Sequence, residues 1–515
     1  MAAPRDLVIG VDCSTTSVKA VVWDRNGRAV SEGRRSLSLL SPHPTWREQA
    51  AEDWWIGTAG ALRDAVAAAG QDRIAALCLA HQRESFVPVD EQGQPLRNAI
   101  LWIDERSHAQ VDWLKEHLGE GEYHRISGKP LALTPSLPKL LWLRDHEPQV
   151  LERAFKVLDV HAFLIHRLTG GFRTSWPSAD PTGLFDMAGH TWSQEILVRC
   201  GLSMNLLPEL VPPGDPIGGV TAAAASECGL PSGLPIIAGA GDGQAAGLGA
   251  GVASPGRAYL NLGTAVVSGA YTQTYITDKA FRTMGGCIPG TYYAETVLRA
   301  GTYIVSWFVD KFGMIDRAEQ RLPVSVEEIF EIAAARVPPG SLGLMLVPYW
   351  SSVMNPYWDT RATGIIVGWT GAHERQHLYR AILEGIGFEQ RLFEEGREQA
   401  LKCPTEEYVA VGGGARSALW RQIIADITGR RVLSAANPET TSLGAGMLAA
   451  AGAGLHPDIR SAAAAMSGVE REHRPDPGNR EIYDRLYEEV YRHLFPAVQP
   501  YIDRLSDLTR AEPEA

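Results

Sequence analysis

Residues 234–251 read LPIIAGAGDGQAAGLGAG. The apolar run Pro235 to Ala238 has the length of a buried strand, and the glycines after it turn the chain. One acid, Asp242, stands at the turn, and small residues continue with the makings of a tightly packed helix. Asp242 is the only carboxylate between Glu227 and Asp278. An acid where strand meets helix, with no bulk around it, lets a substrate come close. The plainer alternative is that Asp242 caps the helix. Gly241 to Ala246 also fits GxGxxA, but a dinucleotide fold wants an acid about twenty residues on. None occurs from Gly243 through Thr277.

Outward from this stretch, the two halves of the chain begin alike. Leu7 to Asp12 reads as a strand, CSTTS as a loop, and Val18 to Asp24 as a second strand that turns at Asn26-Gly27. Beyond the linker ASPG, Ala258 to Leu262 and Val266 to Tyr271 are strands around Gly263-Thr264-Ala265. Two hairpins that bend at a small-plus-Thr loop, one early in each half, indicate an internal repeat. Such loops suit oxyanions: backbone N–H groups and Ser or Thr hydroxyls cradle phosphate, and Asp12 is placed to hold a hydrated Mg²⁺ beside them. A Thr-rich hairpin also arises simply because Thr suits strands.

Two further strand ends carry chemistry. Arg73 to Ala80 runs into His81-Gln82-Arg83-Glu84, where Arg donates and Glu accepts, as a polyhydroxyl ligand requires. A surface ion pair is the commoner reading of such a pair. Trp102 either walls a sugar pocket or fills core. Tyr408 to Val411 enters Gly412-Gly413-Gly414, and Ser417 to Thr428 leaves as a helix; three glycines let backbone approach a flat or anionic ligand at a helix N-terminus. Thr440 to Leu455 reads as a closely packed small-residue helix. Arg480 to Phe495 reads as amphipathic, with Pro496 and Pro500 expected to kink or end it.

Size and composition limit the alternatives. A chain of 515 residues is too long for one core. The expected division is 1–251, 256–455 and a helical extension over 456–515, with a hinge near 251–256. A formal net charge of −12 argues against nucleic-acid partners and against an anionic membrane surface. The six cysteines are scattered, without CxxC or metal spacing, as in a reducing compartment. With neither a leader pattern nor an 18-residue apolar run, a cytoplasmic protein is expected. GxxxxGK[ST] and HExxH are absent.

These motifs together resemble the FGGY family of carbohydrate kinases. Asp12 to Ser17 with Lys19 looks like its first phosphate loop, although Ser14 stands where the family commonly has Gly. Ser136 to His146 looks like the signature of its first domain. Gly364 to Trp369 with His377 to Glu384 looks like that of its second, with Trp369 in place of an aliphatic residue. Gly263-Thr264 is similar to the second phosphate loop, and Gly412 to Ser417 to the adenosine segment. The resemblance implies an α/β chain of two actin/hexokinase/Hsp70-like (ribonuclease H-like) domains around a central cleft. It also implies ATP and Mg²⁺ as cofactors, with phosphates on Ser14, Thr15, Thr16, Ser17, Lys19, Gly263 and Thr264. Adenosine is then expected on Gly412, Gly413, Gly414 and Ser417, and the metal near Asp12 and Asp242. Asp242 is then the catalytic base, and Gln82, Arg83, Glu84 and Trp102 bind the acceptor. The substrate signals diverge. HQRES is similar to the NQRET of glycerol kinases, Thr134 falls where those enzymes usually carry Tyr, and the QMHG of bacterial xylulose kinases is missing. SPHPTWREQAAEDWW and GDGQAAGLGAG look more like xylulose kinases. A ketopentose is the first expectation and a polyol such as glycerol or erythritol the second. A nucleotide-dependent switch on the same fold is the rival of another class, and a homodimer is left open.

Overall fold

The computed structural model describes residues 5–313 and 325–509. Two mixed sheets organise them. The first has six strands in the spatial order Pro216–Gly219, Pro235–Gly241, Ile74–His81, Leu7–Cys13, Ser17–Asp24, Ala29–Ser36. The second has seven, in the order Arg282–Gly285, Tyr292–Leu298, Val266–Thr272, Arg257–Leu262, Glu407–Val411, Arg431–Ala435, Val469–His473. Each contains the same core: an antiparallel meander of three strands, whose first strand continues into two parallel neighbours. The repeat expected from the two hairpins is therefore a repeated sheet. It is the duplicated ribonuclease H-like arrangement, and the chain is α/β as expected.

Parallel strands put their carboxyl ends on one side, and ligands of open α/β sheets bind there. Asp12, Gln82 and Asp242 stand at or just beyond such ends in the first sheet, and Gly263 and Gly412 in the second. Leu7, Ile9 and Val11 alternate onto a core shared with the helix Ala51–Ala69. Val8 faces the other way, against Leu443, Met447 and Leu448 of the helix Thr440–Gly452. That helix lies in sequence between the last two strands of the second sheet, Arg431–Ala435 and Val469–His473, yet covers a face of the first.

The small residues have a steric reason. A Cβ on Gly10 would lie 1.9 Å from the Ser442 carbonyl oxygen, one on Gly249 1.9 Å from that of Thr440, and one on Gly444 1.9 Å from that of Ala245. The helices Asp242–Gly249 and Thr440–Gly452 thus touch backbone to backbone, as their sequences suggested. Ser442 fastens the contact by donating to the Gly10 carbonyl at 2.8 Å.

The last segment departs from expectation. Residues 469–473 add an edge strand to the second sheet ahead of the helices. Pro496 and Pro500 do not end the amphipathic helix; both lie inside Arg492–Thr509. A π turn over Tyr487–Tyr491 precedes them, and Phe495 and Ile502 are buried on either side of the first proline's turn. Packing outweighs the lost backbone hydrogen bonds. Residues 510–515 of the expected polar tail lie outside the described residues. No described helix is long and apolar enough to cross a membrane.

Candidate active site

Asp242 opens the helix Asp242–Gly249 at the end of its strand. Its Oδ1 accepts from the Gly243 amide at 2.7 Å and faces Arg83 Nε at 2.9 Å; among the described residues Oδ2 takes no hydrogen bond. The side chain is 41% exposed, which leaves the carboxylate open to a ligand. A helix N-terminus favours the anion there.

Asp12 is next to last in the strand Leu7–Cys13, and its Oδ1 is enclosed without a hydrogen-bond partner among the described residues. Burial, then the neighbouring Asp242 and Glu439, push its pKa up to about 7, against the pull of Lys19 and Arg34. A buried carboxylate oxygen with no donor, crowded by other carboxylates, is a site short of positive charge.

The loop between the first two strands is tied to Gln82, Trp102 and Gln49. Thr15 Oγ1 donates to Gln82 Oε1 at 3.1 Å and accepts from Trp102 Nε1 at 3.0 Å. Gln82 and Trp54 in turn donate to Gln49 Oε1 at 3.0 and 2.8 Å, and Gln49 returns a bond to the Thr15 carbonyl at 2.6 Å. Ser14 Oγ closes its own loop on the Ser17 carbonyl at 2.8 Å. Thr16 contributes its carbonyl to the Leu37 amide. Lys19 is engaged elsewhere: its ammonium pairs with Glu439, just before the helix Thr440–Gly452.

Arg83 and Glu84 are both buried. Glu84 sits at φ 59°, a left-handed conformation that costs a non-glycine residue about 1–2 kcal/mol and recurs at functional sites. Its carbonyl accepts from Ser136 Oγ at 2.9 Å. Ser136 opens the helix Ser136–His146 that carries the first signature segment. Lys139 of the same helix donates to the carbonyls of Leu133, Thr134 and Pro135 at 2.5, 2.7 and 2.9 Å, which fixes the loop that leads into that helix. Burial holds the Lys139 ammonium down to about 7.

In the second half, Gly263 and Thr264 make the tight turn between Arg257–Leu262 and Val266–Thr272, and their carbonyls accept from Thr302 and Gly301, each at 2.8 Å. Gly412 has φ +83°, and a Cβ there would lie 2.4 Å from Asn261 Oδ1. Gly413 has nothing within 4 Å of where a Cβ would be, an open cradle. Ser417 is occupied differently: its hydroxyl caps the helix Ala418–Thr428 at the Trp420 amide, 3.0 Å, and donates to Glu331 at 2.8 Å.

Three residues outside the sequence reading complete the site. Glu295, fully buried, joins Arg83, Arg282 and Tyr259, and Arg282 joins Glu84. Burial alone raises a carboxylate's pKa; the two arginines overcome it and hold Glu295 at about 2. The available signal was one charge inside the otherwise uncharged strand Tyr292–Leu298.

The family and the fold are shown by comparison with known proteins. Residues 7–249 match the model of the FGGY family of carbohydrate kinases, N-terminal domain, and residues 258–453 that of its C-terminal domain. A xylulose kinase of Bacillus subtilis is 30% identical over 493 residues, covering 95% of this chain and 96% of the relative. One of Staphylococcus epidermidis is 28% identical over 500 residues, covering 95% and 97%. The crystal structure of xylulose kinase from Rhodospirillum rubrum superposes with a TM-score of 0.89 at 28% identity, covering 97% of this chain and 100% of that one. With both domain models matched in order and full-length relatives on either measure, this chain belongs to the FGGY family of carbohydrate kinases.

Proposed function

We propose that the chain phosphorylates a hydroxyl of a ketopentose such as xylulose at the expense of ATP, with Asp242 as general base. The observation that carries this reading is the exposed Asp242 carboxylate, its Oδ2 uncommitted, beside Asp12 and the buried pair Arg83 and Glu84. The xylulose kinases among the relatives favour a ketopentose.

Mg²⁺-ATP supplies the phosphoryl group and the charge neutralisation that its transfer needs. The residues fit the metal: Asp12 Oδ1 lacks a partner and Asp242 is its electrostatic neighbour. Among the described residues no group of three or more His, Cys, Asp or Glu forms a metal cage. One or two carboxylates with water and phosphate oxygens is the usual way to hold Mg²⁺. The nucleotide fits the turns at Gly263-Thr264 and Gly412-Gly413-Gly414, where Gly413 leaves room for a flat ligand. Arg83 and Glu84 offer one donor and one acceptor set for adjacent hydroxyls, and Trp102, 37% exposed, offers an apolar wall. Asp242 Oδ2 takes the proton of the attacking hydroxyl, worth roughly 10²–10⁴-fold in rate. Closure about residues 251–256, flanked by Gly251 and Gly256 at φ +74° and +83°, excludes water from the cleft.

Asp242→Asn tests the assignment. Phosphoryl transfer should be abolished while nucleotide binding persists. Turnover within roughly tenfold of the parent, about 1.4 kcal/mol of barrier, removes Asp242 from the mechanism. The Arg83–Glu84 pair in the pocket wall equally suits a polyol such as glycerol or erythritol. ADP release across a panel of ketoses and polyols decides between them, and steady ATP hydrolysis unaffected by any of them would favour a nucleotide switch.

A further inference from the structure

Four charged side chains meet beneath Asp242, and they come from both halves of the chain. Arg83 and Glu84 follow the strand Ile74–His81 of the first sheet. Arg282 and Glu295 face each other on neighbouring strands of the second. Arg83 donates through one terminal nitrogen to both Glu295 oxygens, at 3.1 and 3.0 Å. Arg282 Nε donates to Glu295 Oε1 at 2.7 Å, and its other arm reaches Glu84 Oε1 at 3.0 Å. Tyr259 adds a hydroxyl to Glu295 Oε2 at 2.6 Å. All five side chains are buried.

Taking four ionised groups out of water is costly, and apolar residues of similar volume hold two surfaces together at least as well. The network adds direction. Glu295 anchors the Nη1 end of Arg83, and the Nε edge of the same rigid guanidinium faces Asp242 Oδ1 at 2.9 Å. Among the described residues Asp242 Oδ2 takes no hydrogen bond. Arg282 does the corresponding work on Glu84, fixing Oε1 while Oε2 keeps no hydrogen bond.

We propose that Glu295 and Arg282 are positioning residues for the acceptor site. Glu295 holds the Nη1 end of Arg83 and so sets which edge of the guanidinium faces Asp242, and Arg282 sets the direction of Glu84. The acceptor pocket is thus lined by the first half and aimed by the second. This inference rests on Asp242 as base and on Arg83 and Glu84 as acceptor ligands.

The test uses the full chain with D-xylulose, glycerol and erythritol as acceptors. Glu295→Gln keeps the shape and the Tyr259 contact but removes the charge that restrains Arg83. It should lower kcat/KM for the acceptor about 100-fold, as a misaimed catalytic group does, while the calorimetric affinity for ADP-Mg²⁺ stays within about twofold. Because Glu295 acts through Arg83, the double variant with Arg83→Gln should be no slower than Arg83→Gln alone. Additive losses, or a parallel loss of ADP affinity, overturn the proposal. If Glu295→Gln does not fold, Arg282→Lys reads the same network through Glu84. A lysine lacks the planar set of donors with which Arg282 meets Glu295 through one nitrogen and Glu84 through another, so acceptor KM should rise about tenfold at unchanged ADP affinity, and an unchanged KM overturns the proposal. A parent inactive on all three acceptors overturns the reading of Asp242, and this inference with it. An active parent with an additive cycle overturns this inference alone.

Discussion

Gly444→Ala tests whether the crossing of two glycine-rich helices holds Asp242, the proposed base, in place. In the helix Thr440–Gly452 the added methyl carbon would lie 1.9 Å from the Ala245 carbonyl oxygen. That oxygen is backbone and cannot rotate away, so the helices must part by about 1 Å before the contact becomes tolerable. Two energies oppose each other. Alanine gains about 1 kcal/mol of helix propensity over glycine, and overpacking a close contact costs about 1–3 kcal/mol. The net effect on stability is a loss of roughly 0–2 kcal/mol. The effect on turnover is larger, because Asp242 opens the helix being pushed. A displacement near 1 Å at a reacting group costs up to about 100-fold in rate. A coupled assay of ADP release on D-xylulose, beside thermal melting, should therefore show kcat falling well beyond what the change in melting temperature explains. Gly371→Ala is the control, since its methyl meets nothing within 4 Å. If Gly444→Ala turns over within about twofold of the parent at an unchanged melting temperature, the crossing is not what holds Asp242.

Two other predictions concern the second half. Gly413→Ala should leave stability unchanged, because its methyl enters open space, yet weaken ADP binding measured by calorimetry, because that space is the proposed seat of the nucleotide. Gly412→Ala should lower the melting temperature as well, since φ +83° and Asn261 at 2.4 Å both oppose a side chain; a Gly413→Ala variant with parental ADP affinity argues against the nucleotide assignment. Glu389 is buried with no ion-pair partner among the described residues, accepting from Tyr349 and Tyr491 at 2.8 and 2.7 Å, and burial raises its pKa to about 7. Its folded value lies above the unfolded one, so the stability it contributes is complete below about pH 4.3 and is lost as pH rises through 7. That loss amounts to about 2 kcal/mol between pH 5.5 and 8, so Glu389→Gln should melt higher relative to the parent at pH 8 than at pH 5.5. An identical gap at both pH values would contradict the buried neutral acid.

Much of the architecture was legible because it is written in short-range chemistry. A strand entering glycines at Asp242, hairpins bending at Thr15 and Thr264, and small-residue helices are all features of a few consecutive residues. The duplicated sheet followed from two such hairpins, and the close helices from composition alone. At Pro496 and Pro500 local propensity predicts a kink or an end, and buried Phe495 and Ile502 hold the helix through both rather than letting it end.

The chain by itself determined which residues reach the carboxyl ends of the strands, since strand length and turn type fix that locally. Tertiary structure decided what those residues do once there. Ser417 spends its hydroxyl on a helix cap and on Glu331. Lys19 lies against Glu439, on the far side of the sequence. Arg83 receives its direction from Glu295, 212 residues away. No periodicity encodes such a partner: a buried charge must be answered by whichever opposite charge the packing of the two halves brings within reach, and that is settled only when both sheets have formed.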